Sequence, residues 1–247
     1  MKKLKVRRRY ETRGGRKAPR PLRPDHPAIL EMRTNYPSTV RSANADERVL
    51  KSGIHSTKLG DRIAVGEWAG SPLYSLKLEE RKTCWSGCQQ LLICYGRNVG
   101  RRATRWNVDA ALYTRLIIEL EALSYKDRWY VLRLHDLGDF ASVEYVQFWF
   151  NALRAHPGLR IFGYTHWPRE SQIGSLIEPE SEKWDRFRIR FSDNHEGQRT
   201  AHVIKDQDAT EHPLGRICKA DKKHSQITCG SCGFCINSTV PVVFKEH

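Results

Sequence analysis

The sequence predicts an α/β fold, built as a partial (β/α) barrel or an open parallel sheet, with a cysteine-rich metal loop near the C-terminus. Short apolar runs of strand length alternate along the chain with stretches that carry a helical apolar stripe. This alternation is typical of a parallel sheet whose strands are joined by helices. Four to six strand units can be recognised, which is too few for a complete eight-unit barrel.

The predicted elements become regular from Pro72 onward. Residues 73–78 alternate in part between apolar and polar side chains and predict a strand. A helix is expected over 108–123 with Asn107 as its N-cap, and another helix follows Ser142. The other predicted elements are a short strand at 63–68, a buried strand at 129–132, a strand at 159–165, a weaker helix within 168–184, and strands at 187–191, 200–204 and 241–244.

Three regions differ in composition. Residues 1–27 contain eleven Lys and Arg against two acidic residues, so they carry +9 of the net charge of +14. They predict a disordered basic arm that contacts nucleic acid, with a solubilising tail as the alternative. Residues 28–71 form an N-terminal extension, and residues 72–247 form the α/β domain, which includes a cysteine-rich segment at 214–247.

The cysteine count and the absence of long apolar runs indicate a cytoplasmic protein. Seven cysteines are an odd number, which argues against a purely disulfide-bonded secreted scaffold. The basic N-terminus is not followed by the apolar core of a secretory signal. No apolar run approaches the ~20 residues that span a bilayer, so no membrane partner is expected. In the cytosol, clustered cysteines more often bind metals or take part in catalysis.

The first cysteine set is Cys84, Cys88 and Cys94, spaced C-x3-C-x5-C directly after the first predicted strand. Three thiolates could hold three irons of a cubane and leave the fourth open, as a catalytic site requires. The alternative is that these cysteines are buried as small apolar residues.

The second set is Cys218, Cys229, Cys232 and Cys235, spaced C-x10-C-x2-C-x2-C. Four thiolates would close a structural metal site. Zinc sites usually contain two separated C-x2-C pairs, whereas three cysteines in one run are more typical of an iron–sulfur cluster. Zinc remains the alternative, and a cysteine of one set could also complete the other.

Polar residues follow the next two predicted strands, where an α/β sheet binds its ligands. His135 is a candidate base, and Asp139 a candidate acceptor for an ammonium or hydroxyl group, with helix capping as the alternative for Asp139. The candidate ligand-binding residues are Gly138 after the second strand, Tyr164 and Thr165 at the end of the third, and Arg133, which is expected on the same strand face as His135.

Arg186, Arg188 and Arg190 alternate with apolar residues and predict a strand with a solvated polar face. An anion site is the alternative for this row.

Taken together, these motifs resemble the phage gene product 88 family. The resemblance rests on 76–84 through Cys94-Tyr95-Gly96, 133–140, 162–165, and 229–235 with the closing 243–247, and it covers about residues 50–247. It implies that the cysteines are metal or cluster ligands. The layout is also similar to a trimmed radical S-adenosylmethionine (SAM) enzyme, in which a cysteine motif follows the first strand and a Gly-Gly-Glu segment the second. Here the second cysteine gap is longer, and Asp139 stands in place of the glutamate.

Three functions are therefore expected as alternatives. The first is an iron–sulfur protein with a radical-SAM-like partial barrel, with one or two clusters, SAM as a possible cofactor, and nucleic acid or a nucleotide as substrate. The second is a non-catalytic nucleic-acid-binding protein stabilised by zinc or a cluster. The third is an electron-transfer or redox-sensing protein.

Overall fold

The computed structural model describes residues 4–8, 20–99, 103–192, 196–205, 209–221 and 226–246. The strands are β1 (Val40–Arg41), β2 (Lys51–Ser52), β3 (Leu73–Lys77), β4 (Arg105–Trp106), β5 (Tyr130–Leu137), β6 (Leu159–Thr165), β7 (Phe187–Ser192), β8 (Thr200–Ile204), β9 (Arg216–Ile217) and β10 (Val242–Lys245). The α-helices are α1 (Pro27–Leu30), α2 (Gly96–Val99), α3 (Ala110–Lys126), α4 (Val143–Ala155), α5 (Gln172–Glu182), α6 (Cys229–Cys232) and α7 (Phe234–Asn237). Short 3-10 turns lie at Pro37–Thr39, Gly53–His55 and Lys219–Asp221.

Eight strands form one sheet in the order β2-β3-β5-β6-β7-β8-β10-β9. Only the pairing of β2 with β3 is antiparallel, and β1 pairs with β4 in a separate two-stranded sheet. From β3 to β8 the strands of the main sheet are neighbours in chain order, as consecutive strands usually are. Over the described residues the sheet has two edges, β2 and β9, so it is open. The predicted α/β class with a mostly parallel sheet is confirmed.

The two faces of the sheet pack against different parts of the chain. On one face, which we call the helix face, Leu132 and Leu134 pack with apolar residues of α3, α4 and α5. On the other, which we call the loop face, Val131 and Phe162 pack with Trp68 and with Ile236 of α7. The C-terminal cysteine segment therefore covers the face that the long helices leave open.

The helix boundaries follow from their caps. Helix α4 begins after Ser142, whose side chain accepts a hydrogen bond from the Tyr145 N–H, as predicted. Helix α3 begins at Ala110 and not at the predicted residue 108. Its N-cap is Asp109 in place of Asn107, because the Asp109 side chain accepts a hydrogen bond from the Leu112 N–H. No helix in the described part of the chain is long and apolar enough to cross a membrane.

The predicted strand at 63–68 is wrong. Ile63 donates its N–H to the Ser71 carbonyl, and Ala64 donates to the Gly230 carbonyl. Gly66, two residues after Ala64, has φ +79°, a conformation that glycine adopts readily. The segment turns back over the loop face instead of extending, because its backbone is paired with two different neighbours.

The arginine row on β7 does not form a solvated face. All six residues of the strand are buried. Arg188 donates to the Ile236 carbonyl (3.0 Å) and Arg190 to the carbonyls of Val240 (2.8 Å) and Ser238. The prediction failed because the C-terminal segment offers peptide oxygens to guanidinium groups that would otherwise face water.

Part of the N-terminal arm contacts both the N-terminal extension and the first cysteine loop. The Arg7 N–H donates to the Asp61 carboxylate (2.7 Å), and the Asp61 N–H donates to the Arg7 carbonyl (2.9 Å). The Leu22 N–H donates to the Leu92 carbonyl within the first cysteine loop. Most of the predicted arm, residues 1–3 and 9–19, lies outside the described residues.

Candidate functional site

The first cysteine loop begins at the carboxyl end of β3. Successive turns carry it past Cys84 and Cys88, whose N–H groups donate to the Arg81 and Trp85 carbonyls. Burial raises the pKa of Cys84 well above its ordinary value, and Asp139, Cys94 and Cys88 raise it further. Burial also raises the pKa of the Cys94 thiol to about 11. Without a bound cation, both thiols therefore hold their protons at neutral pH.

The Arg81 side chain is buried inside this loop and forms hydrogen bonds that stabilise it. Its side chain is 1 % exposed, and its backbone adopts φ +67°, which is unusual for a residue other than glycine. The guanidinium donates to the Leu91 carbonyl (3.1 Å) and to the Asn35 side chain (2.8 Å). The loop is thereby tied to the N-terminal extension, a role that the sequence analysis missed.

A buried ion pair connects the start of the first cysteine loop with the residues that follow it. Arg105 donates to both carboxylate oxygens of Glu80, at 2.6 and 3.1 Å, and both side chains are almost completely buried. Arg105 also donates to the Gly96 carbonyl (3.1 Å) and to the Thr39 hydroxyl (3.0 Å). The charged run before Cys84 is the sequence signal that could have indicated this pair.

Asp139 joins the ends of three elements at this edge. Its carboxylate accepts the N–H groups of Phe140 and His166, each at 2.8 Å. Its own N–H donates to the Thr83 hydroxyl (3.1 Å), next to Cys84. Burial raises the pKa of Asp139 to about 6. Asp139 does not cap α4, because Ser142 has that position.

Gly138 allows the cysteine loop to approach β5. Its φ is +80°, and a Cβ built on it would lie 2.5 Å from the Thr83 hydroxyl and 2.8 Å from Leu78 Cβ. No side chain fits there unless the loop moves.

We expect Gly138→Ala to lower the free energy of unfolding by about 2 kcal/mol or more, from backbone strain plus this overlap. Gly70→Ala is the matched control, because Gly70 also has positive φ (+92°) but nothing lies within 4 Å of a Cβ there. It should lose only about 1 kcal/mol. Denaturant unfolding measures both values, and equal losses would show that the contact with Thr83 is unimportant.

His135 lies on the helix face. Its Nε2 is 2.9 Å from the Tyr145 hydroxyl, and its ring packs edge-on against Phe140. Burial lowers the pKa of His135 to about 3, so the ring is neutral at pH 7. The expectation that Arg133 shares its face is wrong. The register between β3 and β5 shifts after Ser75, which breaks the simple alternation of sides.

The other predicted ligand-binding residues have different surroundings. The Arg133 guanidinium lies 5.9 Å from the centre of the Tyr164 ring on the loop face and forms an ion pair with Asp136 (3.1 Å). Thr165 is fully buried at the end of β6, where its hydroxyl accepts the Trp167 N–H (3.1 Å). Lys77 also pairs with Asp136, at 2.6 Å. Lys77 and Asp136 were not singled out by the sequence analysis.

Part of the second cysteine set lies near Arg133 on the loop face. Thr228 caps α6 in a capping box with Ser231, which places Cys229 and Cys232 on one short turn. Burial raises the pKa of Cys229 to about 11, against the opposite influence of Arg133 and Lys58. Cys218 packs in one apolar cluster with Cys235. Cys229 packs against the apolar cluster of the loop face, and Cys235 and Cys232 lie near enough to Cys229 to raise its pKa further.

The two cysteine sets supply suitable donor atoms without a formed coordination sphere. All seven cysteines are free thiols. Within the described residues, no three His, Cys, Asp or Glu side chains are arranged to hold a metal ion. Soft thiolates are the ligands that iron–sulfur clusters and zinc select, so the chemistry of each set fits such a group. Binding would have to draw the thiols of each set closer together.

Comparison with known proteins identifies the family and little else. No curated protein and no solved structure matches the chain. The model of the Gene product 88 family matches residues 46–238, which include all seven cysteines. The match confirms the resemblance seen in the sequence, and it covers well over half of the 247 residues. The chain belongs to the Gene product 88 family.

Proposed function

We propose that the protein is an iron–sulfur enzyme with a radical-SAM-like partial barrel, whose reactive centre is bound by Cys84, Cys88 and Cys94. One observation carries the proposal. The loop that contains these cysteines follows the carboxyl end of β3, beside Asp139 at the end of β5. Neighbouring parallel strands present their ligand sites at this edge.

The strand order supports the partial barrel. Parallel neighbours that follow chain order, with long helices on one face, are the arrangement from which (β/α) barrels are built. The opposite face then corresponds to the barrel interior. When bound, a cluster with one open iron supplies an electron and a binding position for SAM.

The chain's own residues have separate roles in this proposal. Asp139, with a pKa of about 6, can hold or release a proton near neutral pH. Gly138 and Thr165 shape the edge beside it, while Arg133 and Tyr164 offer a cation and a ring to a ligand. His135 stays neutral, and its buried Nδ1 has no hydrogen-bond partner among the described residues. Because it packs against Tyr145 and Phe140 on the helix face, away from the barrel interior, the proposal gives His135 a structural role and not that of the base expected from the sequence.

The second cysteine set has a structural role in the proposal. Cys218, Cys229, Cys232 and Cys235 would enclose a cluster or a zinc ion with four thiolates. The segment that carries them is already anchored on the loop face by arginines of β7. The proposal places the protein in the cytosol, where these thiols stay reduced.

The test is purification without oxygen, followed by measurement of iron, sulfide and zinc per chain and of the visible spectrum. SAM and dithionite are then added, and 5′-deoxyadenosine is measured. We expect iron, sulfide and cleavage of SAM. Stoichiometric zinc without iron would contradict the proposal, and iron without SAM cleavage would restrict it to a structural or redox cluster.

Single cysteine variants separate the two sets. We expect Cys88→Ala to abolish SAM cleavage and remove the iron of the first set, while the protein stays folded. We expect Cys232→Ala to lower the thermal midpoint by several degrees, because the C-terminal segment loses its metal. Metal analysis and thermal unfolding of both variants measure this. If Cys88→Ala keeps all metal and activity, the division of roles is wrong.

A non-catalytic nucleic-acid-binding protein is the second candidate, favoured by the +9 charge of residues 1–27. It predicts DNA or RNA binding that weakens steeply with salt and with deletion of these residues. Binding that is unchanged by the deletion would exclude this role for the arm.

A further inference from the structure

A row of aromatic rings and arginines crosses the loop face at the amino ends of β5 and β6. Arg160, the second residue of β6, is aligned with Val131 of β5 and is only 4 % exposed. Its guanidinium carbon lies 3.7 Å from the centre of the Trp129 ring and 5.8 Å from that of Trp68. Arg188 of β7 continues the row on Trp68, at 4.2 Å. Because Trp68 and Arg188 are also buried, the row reaches solvent at Trp129, which is 40 % exposed.

The charge of Arg160 stays beside the Trp129 ring. One guanidinium nitrogen donates to the Ser71 hydroxyl (3.4 Å), and Nε is buried without a hydrogen-bond partner among the described residues. In the same part of the chain no carboxylate pairs with Arg160, since Glu67 forms its ion pair with Arg188 (2.7 Å). Cation–π contacts with two tryptophans therefore hold this guanidinium. The Trp129 ring has a fixed position and a buried positive charge against it.

The four residues before Trp129 add further aromatic and basic side chains. Tyr125, in the last turn of α3, is 86 % exposed. The side chains of Lys126 and Arg128 are exposed, and neither forms a hydrogen bond or an ion pair with a described residue. Arg128 lies over the Trp129 ring, 5.2 Å from its centre. Asp127 is the one acidic residue of this segment, and its Oδ2 is buried.

The surface formed by Tyr125, Lys126, Arg128 and Trp129, which we call the amino-edge patch, lies at the opposite edge of the sheet from the first cysteine loop. Strand β5 begins directly after Trp129, whereas the cysteine loop follows the carboxyl end of β3, which is parallel to β5. The turn before β6 packs closely against the patch, because a Cβ on Gly158 would lie 2.2 Å from the Arg128 carbonyl oxygen. The patch is therefore fixed to the sheet and separate from the proposed reactive centre.

An exposed ring beside unpaired cations matches the chemistry of single-stranded nucleic acid. Unpaired bases stack on aromatic side chains, while the phosphates are bound by Lys and Arg. A duplex keeps the faces of its bases within its own stack and offers mainly its phosphates. A base that stacks on Trp129 would displace the Arg128 side chain, which no hydrogen bond to a described residue holds, and the freed guanidinium could then bind the adjacent phosphate.

We propose that the amino-edge patch binds single-stranded nucleic acid. One base stacks on Trp129 and another on Tyr125, and Lys126 and Arg128 bind phosphates of the same strand. The inference does not depend on the cysteine chemistry or on the basic arm, because the patch shares no residue with either. It gives the sheet domain a nucleic-acid contact of its own.

Fluorescence anisotropy of the full chain with labelled oligo-dT and oligo-rU tests this, at lengths of about 20 nucleotides, which exceed one binding site. We expect at least one strand to bind, and the tighter one shows whether the patch prefers DNA or RNA. Tyr125→Ser and Trp129→Leu should each raise the Kd at least about fivefold with an unchanged salt dependence, because each removes a stacked base. Arg128→Gln should reduce the slope of log K against log salt by about 0.7, as the loss of one phosphate contact does.

Lys219→Gln is the matched control for charge, because Lys219 is exposed and follows β9 at the far edge of the sheet. It should leave the Kd close to that of the wild type. Tyr125→Ser keeps the test decisive if Trp129→Leu fails to fold, because the Tyr125 side chain is almost wholly exposed.

Three results would overturn the inference. The first is that neither strand binds the wild-type protein, and the second is an unchanged Kd in both Tyr125→Ser and Arg128→Gln. The third is that the Tyr125 and Trp129 variants weaken binding of a duplex of the same length equally, which would exclude stacking. Binding to phosphatidylserine vesicles alone, weakened by the same variants, would make the patch a membrane contact instead. Iron content and SAM cleavage do not enter this test, so the proposed function can fail separately.

Discussion

Glu80→Gln is expected to lower the free energy of unfolding by about 3 kcal/mol or more. Glu80 and Arg105 are almost completely buried and share two hydrogen bonds. Removing the carboxylate charge leaves the guanidinium buried without its counter-ion, which is far less favourable than losing both partners together. Since Arg105 also donates to Gly96 and Thr39, the disturbance should spread to the first cysteine loop.

Urea denaturation followed by circular dichroism measures this loss. Lys183→Met is the matched control, because its ion pair with Glu180 is exposed to solvent. Exposed pairs contribute about 0–1 kcal/mol, so the control should change little. Similar small effects in both variants would show that the buried pair does not stabilise the fold as argued.

The second large effect is a pH dependence that His135 gives to stability. Its pKa is lowered by burial to about 3 in the folded protein, against about 6.5 in an unfolded chain. Between these values the unfolded state binds more protons, so stability falls as the pH falls. From pH 6.5 to pH 4 the loss due to His135 should be about 3 kcal/mol.

The comparison that isolates this effect is wild type against His135→Gln, measured by denaturant unfolding from pH 7 to pH 4. The difference in stability between the two proteins should change by about 3 kcal/mol over that range. Asp139 acts in the opposite direction, because its raised pKa makes the folded state bind protons between about pH 4 and pH 6. The free energy of unfolding of the wild-type protein should therefore vary less with pH than the effect of His135 alone would produce. A constant difference between wild type and variant would show that His135 is not buried in its neutral form.

Patterns of local origin were predicted well. The strands at Leu159–Thr165 and Thr200–Ile204 and the cap at Ser142 were identified correctly, because apolar runs and capping residues act on their immediate neighbours. Asn107 and Asp109 are both good N-cap residues. Asp109 caps α3 because its side chain accepts the Leu112 N–H at the start of the helix.

Features that depend on distant partners were predicted poorly. The β7 arginines were expected to face water, but carbonyls some 50 positions later in the chain bind them. His135 and Arg133 were expected on one face, but the register shift between β3 and β5 separates them. The Glu80–Arg105 pair and the Lys77–Asp136–Arg133 cluster join different elements, and neither spacing nor periodicity records such contacts.

The sequence by itself determined the α/β class, the family and the two sets of thiols, because each depends on residue type and local spacing. Only the tertiary structure showed that the first set lies beside Asp139, that the C-terminal cysteine segment covers the loop face, and that Lys77 and Arg133 both pair with the Asp136 carboxylate. These relations arise from chain crossing and burial, which bring charged groups out of water and into contact across the sheet.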